Sequence, residues 1–95
     1  MAQQRFKWAA SATKHGVGRP QIKFVIEHCG LPFVMPAEPP ERPFERLLFL
    51  GDDQSGTALE VMAVELLDDS LYVIHAMTLR PRYNKQYKEA KTWRT

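Results

Sequence analysis

The chain has a single cysteine, Cys29, so no internal disulfide can form and its stability has to come from an apolar core. It has no run of about 18 apolar residues, the length a membrane-spanning helix needs. The N-terminal stretch Met1 to Lys7 lacks the apolar segment of an export signal. Together these absences predict a cytoplasmic protein that makes no membrane contact. No Gly-x-Gly-x-x-Gly or phosphate-loop pattern occurs. His15, His28, His75 and Cys29 are spread too widely for a structural zinc site, so no metal and no other cofactor is expected. Ser11, Ser55 and Ser70 fall in a helix or in turns and lack the strand-to-helix setting of a nucleophilic serine. Cys29 lies on an apolar stripe with no basic neighbour to activate it and reads as a buried thiol.

What is present suits one domain over residues 1–95, long enough to bury a core though with a modest stability margin. The net charge of +2 conceals a segregation: residues 1–30 carry +4, residues 31–56 −3, residues 57–79 −4 and residues 80–95 +5. Basic ends that met in the fold would form a face suited to a nucleic-acid backbone. Charges that merely solvate surface helices are the alternative.

Taken in order, the alanine-rich residues 4–14 place Phe6, Ala9, Ala10 and Thr13 at helical spacing and predict a first helix, stopped at Gly16. Arg19-Pro20 opens a second helix over 19–29, with Ile22, Val25, Ile26 and Cys29 on one stripe and Gly30 at its end. Leu31 to Met35 predicts a short edge strand. Four prolines between Pro36 and Pro43 require a loop. Three strand signals follow, Arg46–Leu50, Thr57–Leu67 and Leu71–Met77, joined by short turns as an antiparallel meander. A last helix, Arg82–Lys91, sets Tyr83 and Tyr87 on one face. The expected fold class is α+β, with two N-terminal helices, an antiparallel sheet of three to four strands and a C-terminal helix, the helices covering one sheet face. Strict alternation puts His75 on the same face as Leu71, Val73 and Met77. Glu60 and His75 are the polar anomalies of an otherwise apolar sheet.

The stretch Leu71 to Tyr87 starts as an apolar strand, delivers His75 near its end and turns basic through Arg80, Arg82, Lys85 and Lys88. Such an edge is a candidate phosphate site. Lys14-His15-Gly16-Val17, Arg46, Leu59-Glu60-Val61, Ile74-His75-Ala76-Met77 and then Arg80, Arg82, Tyr83 and Tyr87 together resemble the BrnT-type toxins of the RelE-like ribonuclease superfamily, over about Ala9 to Glu89. The resemblance implies a bacterial RelE-like fold that cleaves RNA, inhibits translation, is held inactive by a cognate antitoxin protein and forms oligomers with it. Those toxins carry Ile-Ser-Ala-Arg where this chain has Ile74 to Met77, so the expected basic charge would come from Arg80 and Arg82.

Metal-independent RNA cleavage needs a base for the 2′-hydroxyl, cations for the phosphorane and an acid for the leaving 5′-oxygen. His75 or Glu60 are candidates for the base, and Arg80 and Arg82 for a bidentate clamp. Tyr83 or Tyr87 could serve as acid or stack on a base, although packing on the sheet is the better account of both rings. Lys14, His15, Arg46, Lys85 and Tyr87 are the further candidates for RNA binding. Each has a structural alternative: His75 as a satisfied strand histidine, Glu60 in a cross-strand ion pair, His15 at a helix C-terminus. A non-catalytic RNA- or protein-binding module is the competing function.

Overall fold

In the computed structural model, which describes residues 4–93, the chain runs β1 (Phe6–Trp8), a 3-10 helix (Ala10–Thr13), α1 (Arg19–His28), β2 (Phe33–Met35), β3 (Arg46–Asp52), β4 (Ala58–Glu65), β5 (Leu71–Thr78), a 3-10 turn (Pro81–Tyr83) and α2 (Asn84–Trp93). Met1 to Gln3, part of the stretch read for an export signal, and Arg94, counted in the basic C-terminal end, lie outside the described residues. The strands form one sheet in the order β1-β5-β4-β3-β2.

The meander β3–β4–β5 matches the sequence reading, and its turns follow from local chemistry. Asp53 Oδ1 accepts the N–H groups of Ser55 and Thr57, both at 2.9 Å, and Gly56 takes φ +82° to close the first turn. Asp68 Oδ1 accepts the Ser70 N–H at 3.0 Å in the second. The edge strand β2 pairs antiparallel with β3, as its flanking prolines require.

The N-terminus departs from expectation. Residues 4–14 do not form a helix: Phe6 to Trp8 pair in parallel with Leu71 to Val73, and only Ala10–Thr13 coil, as a single 3-10 helix. An isolated helix of this length is marginal in water because nucleation is costly. The open edge of β5 offers the same residues ladder hydrogen bonds, and Phe6 and Trp8 alternate about Lys7 with the period of a strand. The sheet is therefore mixed and five-stranded, with one α-helix near each end of the chain. This overturns the layout of two N-terminal helices over an antiparallel sheet of three to four strands, and with it the RelE-like arrangement.

The expectation of one covered face is corrected as well. Phe49, Leu59, Val61, Ala63, Leu71 and Val73 pack against Ile22, Val25 and Cys29 of α1 and against Ala12 and Val17. On the opposite face Leu48, Leu50 and Met62 pack with Tyr83, and Tyr87 of α2 joins them. Ten residues do not hold a helix alone, so α1 depends on burial of Ile22 and Val25, at about 1.5–3 kcal/mol for each such side chain. Its start is fixed by Gln21, whose Oε1 accepts the Gly18 N–H at 2.9 Å while its Nε2 donates to Asp53 Oδ2 at 2.8 Å.

Where α1 crosses β3 the backbones meet at Gly51. A Cβ there would lie 2.8 Å from Cys29 Cβ and 3.5 Å from Val25 Cγ1. Gly51→Ala is therefore expected to destabilise the fold by about 1–3 kcal/mol, as overpacking does, with a lower urea midpoint and an unchanged slope. An unchanged midpoint would mean that α1 does not sit this close.

Candidate functional site

Glu60 lies on β4, the middle strand of the sheet, between Leu50 of β3 and Met77 of β5. Alternation sends Leu59 and Val61 to the α1 core and Glu60 to the α2 side, where the side chain is fully buried. Burying a lone carboxylate costs several kcal/mol, so it has to be matched at close range. Arg80 does this: its backbone N–H donates to Oε1 at 2.9 Å, Nε lies 3.1 and 3.0 Å from the two oxygens, and Nη2 donates to Oε2 at 2.6 Å. Pro81 helps by holding Arg80 extended, at φ −90° and ψ 151°, two residues past the end of β5, where its amide is free for the carboxylate. Burial alone would raise the Glu60 carboxyl; the hydrogen bonds from Arg80, then that from His75, outweigh it and hold the group below its ordinary range. The same pairing raises Arg80.

The third partner is His75, whose Nε2 lies 3.0 Å from Glu60 Oε2. An ionised carboxylate only accepts, so Nε2 carries the proton in this contact and Nδ1 is the remaining ring nitrogen. His75 lies two residues before Met77, the cross-strand partner of Glu60, so alternation puts it on the Glu60 face, and β5 departs from alternation only on the N-terminal side of His75. Met62 pairs with His75 but Ala63 pairs with Val73, leaving Ile74 as an extra residue. Leu71, Val73 and Ala76 consequently face α1, and Ile74 faces the opposite core. The expected sharing of one face by His75, Leu71 and Val73 is thus corrected by the bulge.

Around this centre lies a cleft of about 490 Å³ whose lining includes Arg42, Arg46, Arg80, Arg82, His75 and Tyr83, with Glu38 the acidic member. The Arg80 and Arg82 guanidinium groups sit 5.7 and 5.2 Å from the centre of the Tyr83 ring. Arg46 is buried and bonds Glu38 through Nη2 at 3.1 Å, while its Nε has no hydrogen-bond partner. His15 approaches from the loop before α1, its ring edge-on to His75 with centroids 5.6 Å apart.

The fold therefore gathers Glu60, His75, Arg80, Arg82, Tyr83, Arg46 and His15. Lys14 is exposed beside His15 in sequence. Lys85 and Tyr87 lie outside the cleft lining: Lys85 is exposed on α2, and the Tyr87 hydroxyl is bonded to Asp52, with Lys91 4.8 Å from its ring centre. Two contributors escaped the sequence reading, Glu38 and Arg42, because both sit in the proline-rich loop. Their opposite charges at a spacing of four were the available signal, and the structure adds a short antiparallel bridge between them. Among the described residues no group of three or more His, Cys, Asp or Glu is placed to hold a metal ion, and no helix is long and apolar enough to cross a membrane.

No family model matches the chain, and no curated protein or solved structure matches it.

Two outcomes test the geometry of the site. Arg80→Ala leaves a buried carboxylate without its cation and is expected to cost about 3 kcal/mol, at the low end for breaking a buried pair because Arg80 is 37% exposed. Arg82→Ala, on an exposed residue, is expected to cost under about 1 kcal/mol by the same denaturation assay. Because the folded-state Glu60 carboxyl lies below the ordinary value of 4.5, its contribution is complete above that pH and is lost as pH falls through the lowered value. Glu60→Gln should therefore make the acid-side loss of stability shallower. Asp53 and Asp68, both also lowered, keep the slope from vanishing. An identical slope in the variant would contradict the pairing.

Proposed function

We propose that the cleft takes an RNA backbone and that the protein is a metal-independent endoribonuclease, the toxin component of a toxin–antitoxin pair. The observation that carries this proposal is the hydrogen bond from His75 Nε2 to the buried Glu60 carboxylate, made inside a cleft lined by four arginines. A histidine held this way presents Nδ1 as a base, and Glu60 acts as the positioning residue rather than as the base itself. Clustered arginines favour phosphate, and the partnerless buried Nε of Arg46 is a donor for which an anionic ligand would be a partner. The motifs that resemble BrnT-type toxins agree with this assignment, whereas the layout of the sheet lends it no support.

A groove of about 690 Å³ adjoins the cleft, shares Arg42 and Arg46 with it, and is lined by Phe44, Val64, Leu67, Tyr72 and Ile74. Phe44 and Leu67 are strongly exposed. An apolar surface of this kind beside the cleft suits a segment of the antitoxin, which would then cover both.

One observation favours the second reading, binding of RNA without cleavage. Nε and Nη2 of Arg80, which would grip a phosphate side-on, are both given to Glu60. The phosphate contacts then fall to Arg82, Arg42 and Arg46.

The readings separate in one experiment on purified protein and RNA, with and without ribosomes. Under the proposal wild-type protein cuts RNA, and His75→Ala loses about 100-fold or more in rate while still binding. Arg82→Ala should reduce the slope of log affinity against log salt by about one. Salt-dependent binding with no cleavage would establish the second reading, and no binding even at low salt would contradict both.

A further inference from the structure

We infer that His15 and His75 divide the proton transfers of RNA cleavage, His75 as base for the 2′-hydroxyl and His15 as acid for the leaving 5′-oxygen; this rests on the RNA-cleaving function proposed above. The acid is the role the tyrosines leave open. Tyr87 gives its hydroxyl to Asp52 and lies outside the cleft lining, and Tyr83 is buried against two guanidinium groups. His15 lies outside the cleft lining as well, but it is exposed and its ring meets His75, a lining residue, at 5.6 Å between centroids with 72° between planes.

That contact is built into the fold. The Ser11 hydroxyl donates to the Ile74 carbonyl at 2.7 Å and the Ala9 N–H to the Val73 carbonyl at 2.9 Å, so the 3-10 helix before His15 is fastened to the bulged part of β5 that carries His75. Ala12 and Val17 are buried on either side of the loop. Gly16, at φ +84°, makes the turn between His15 and Val17, a conformation that disfavours any residue with a side chain. The Lys-His-Gly-Val stretch is thus held at the site by its own local structure.

The chemistry follows from the geometry. His75 Nε2 is committed to Glu60, so Nδ1 accepts the proton of the 2′-hydroxyl. O2′ attacks phosphorus, the P–O2′ bond forms, the P–O5′ bond breaks, and the departing O5′ takes a proton from the His15 imidazolium. The products are a 2′,3′-cyclic phosphate and a free 5′-hydroxyl. His75 is left protonated and His15 neutral, and exchange with water restores both. Two rings this close can serve one phosphate, which a base and an acid acting on the same phosphodiester require.

The test uses two substrates. One is an ordinary RNA with a mapped cut site; the other is the same RNA with a bridging sulfur in place of the 5′-oxygen at that site, whose thiolate leaves without needing a proton. His15→Ala and His15→Gln are expected to lose about 100-fold or more on the oxygen substrate, to bind RNA within about twofold of wild type, and to recover to within about tenfold of wild type on the sulfur substrate. His75→Ala should stay slow on both. His15 variants that cleave ordinary RNA at the wild-type rate, or that are equally impaired on the sulfur substrate, would overturn the assignment of the acid. Wild-type protein that cuts neither substrate would overturn the RNA-cleaving function itself, and this inference with it.

Discussion

A carboxylate withdrawn from water is tolerable only where fixed donors replace its hydration, and the Glu60 carboxylate is withdrawn completely, at the centre of the middle strand. Its requirement for donors fixes much of what lies around it. Arg80 has to fold back across the end of β5, which places Tyr83 against the sheet and starts α2 on the face opposite α1. His75 has to come from β5 with its ring turned to the same carboxylate, and the bulge at Ile74 then lets Leu71 and Val73 face the opposite core. A well-packed apolar residue in place of Glu60 would often serve stability as well or better. Its presence in this setting is therefore better explained by what it orients than by what it stabilises.

The cations around this centre are of two kinds. Arg80 is neutralised by Glu60, whereas Arg46 and Arg42 share the single carboxylate of Glu38, at 3.1 and 3.8 Å, and so keep a net positive charge between them. Arg82 and Arg42 are exposed at its edge, where a polyanion would meet them first. The basic N-terminal residues contribute elsewhere: Lys7 pairs with Asp68 at 3.1 Å and Arg5 donates to the Asp68 carbonyl at 2.6 Å, tying β1 to the turn before β5. The basic face foreseen from charge segregation is in this way split between a strand fastening and a cleft.

Most of the fold was legible where local chemistry decides it. The meander could be read because aspartates and glycine mark its turns, and α1 because Pro20 and the stripe of Ile22, Val25 and Cys29 mark its start and its face. β1 was missed because its pairing partner lies more than sixty residues away, and alanine composition reports only local preference. The site was legible in part for the same reason. Glu60 and His75 stood out as polar residues on apolar strands, but the extra residue at Ile74, which turns Leu71 and Val73 away from the His75 face, leaves no mark in composition or periodicity. The contributions of Arg42 and Glu38 depend on how a proline-rich loop packs, and helix or strand periodicity cannot express that.

In the proposed mechanism Glu60 selects the tautomer of His75 and so determines which ring nitrogen faces substrate. Nitrogen-15 NMR of the histidine side chains, recorded at a pH where the ring is neutral, reads this directly. The expected result is a His75 ring protonated on Nε2 with a lone pair on Nδ1, an assignment that is lost in Glu60→Gln. A ring protonated on Nδ1 in the wild-type protein would contradict the arrangement on which the proposed chemistry depends.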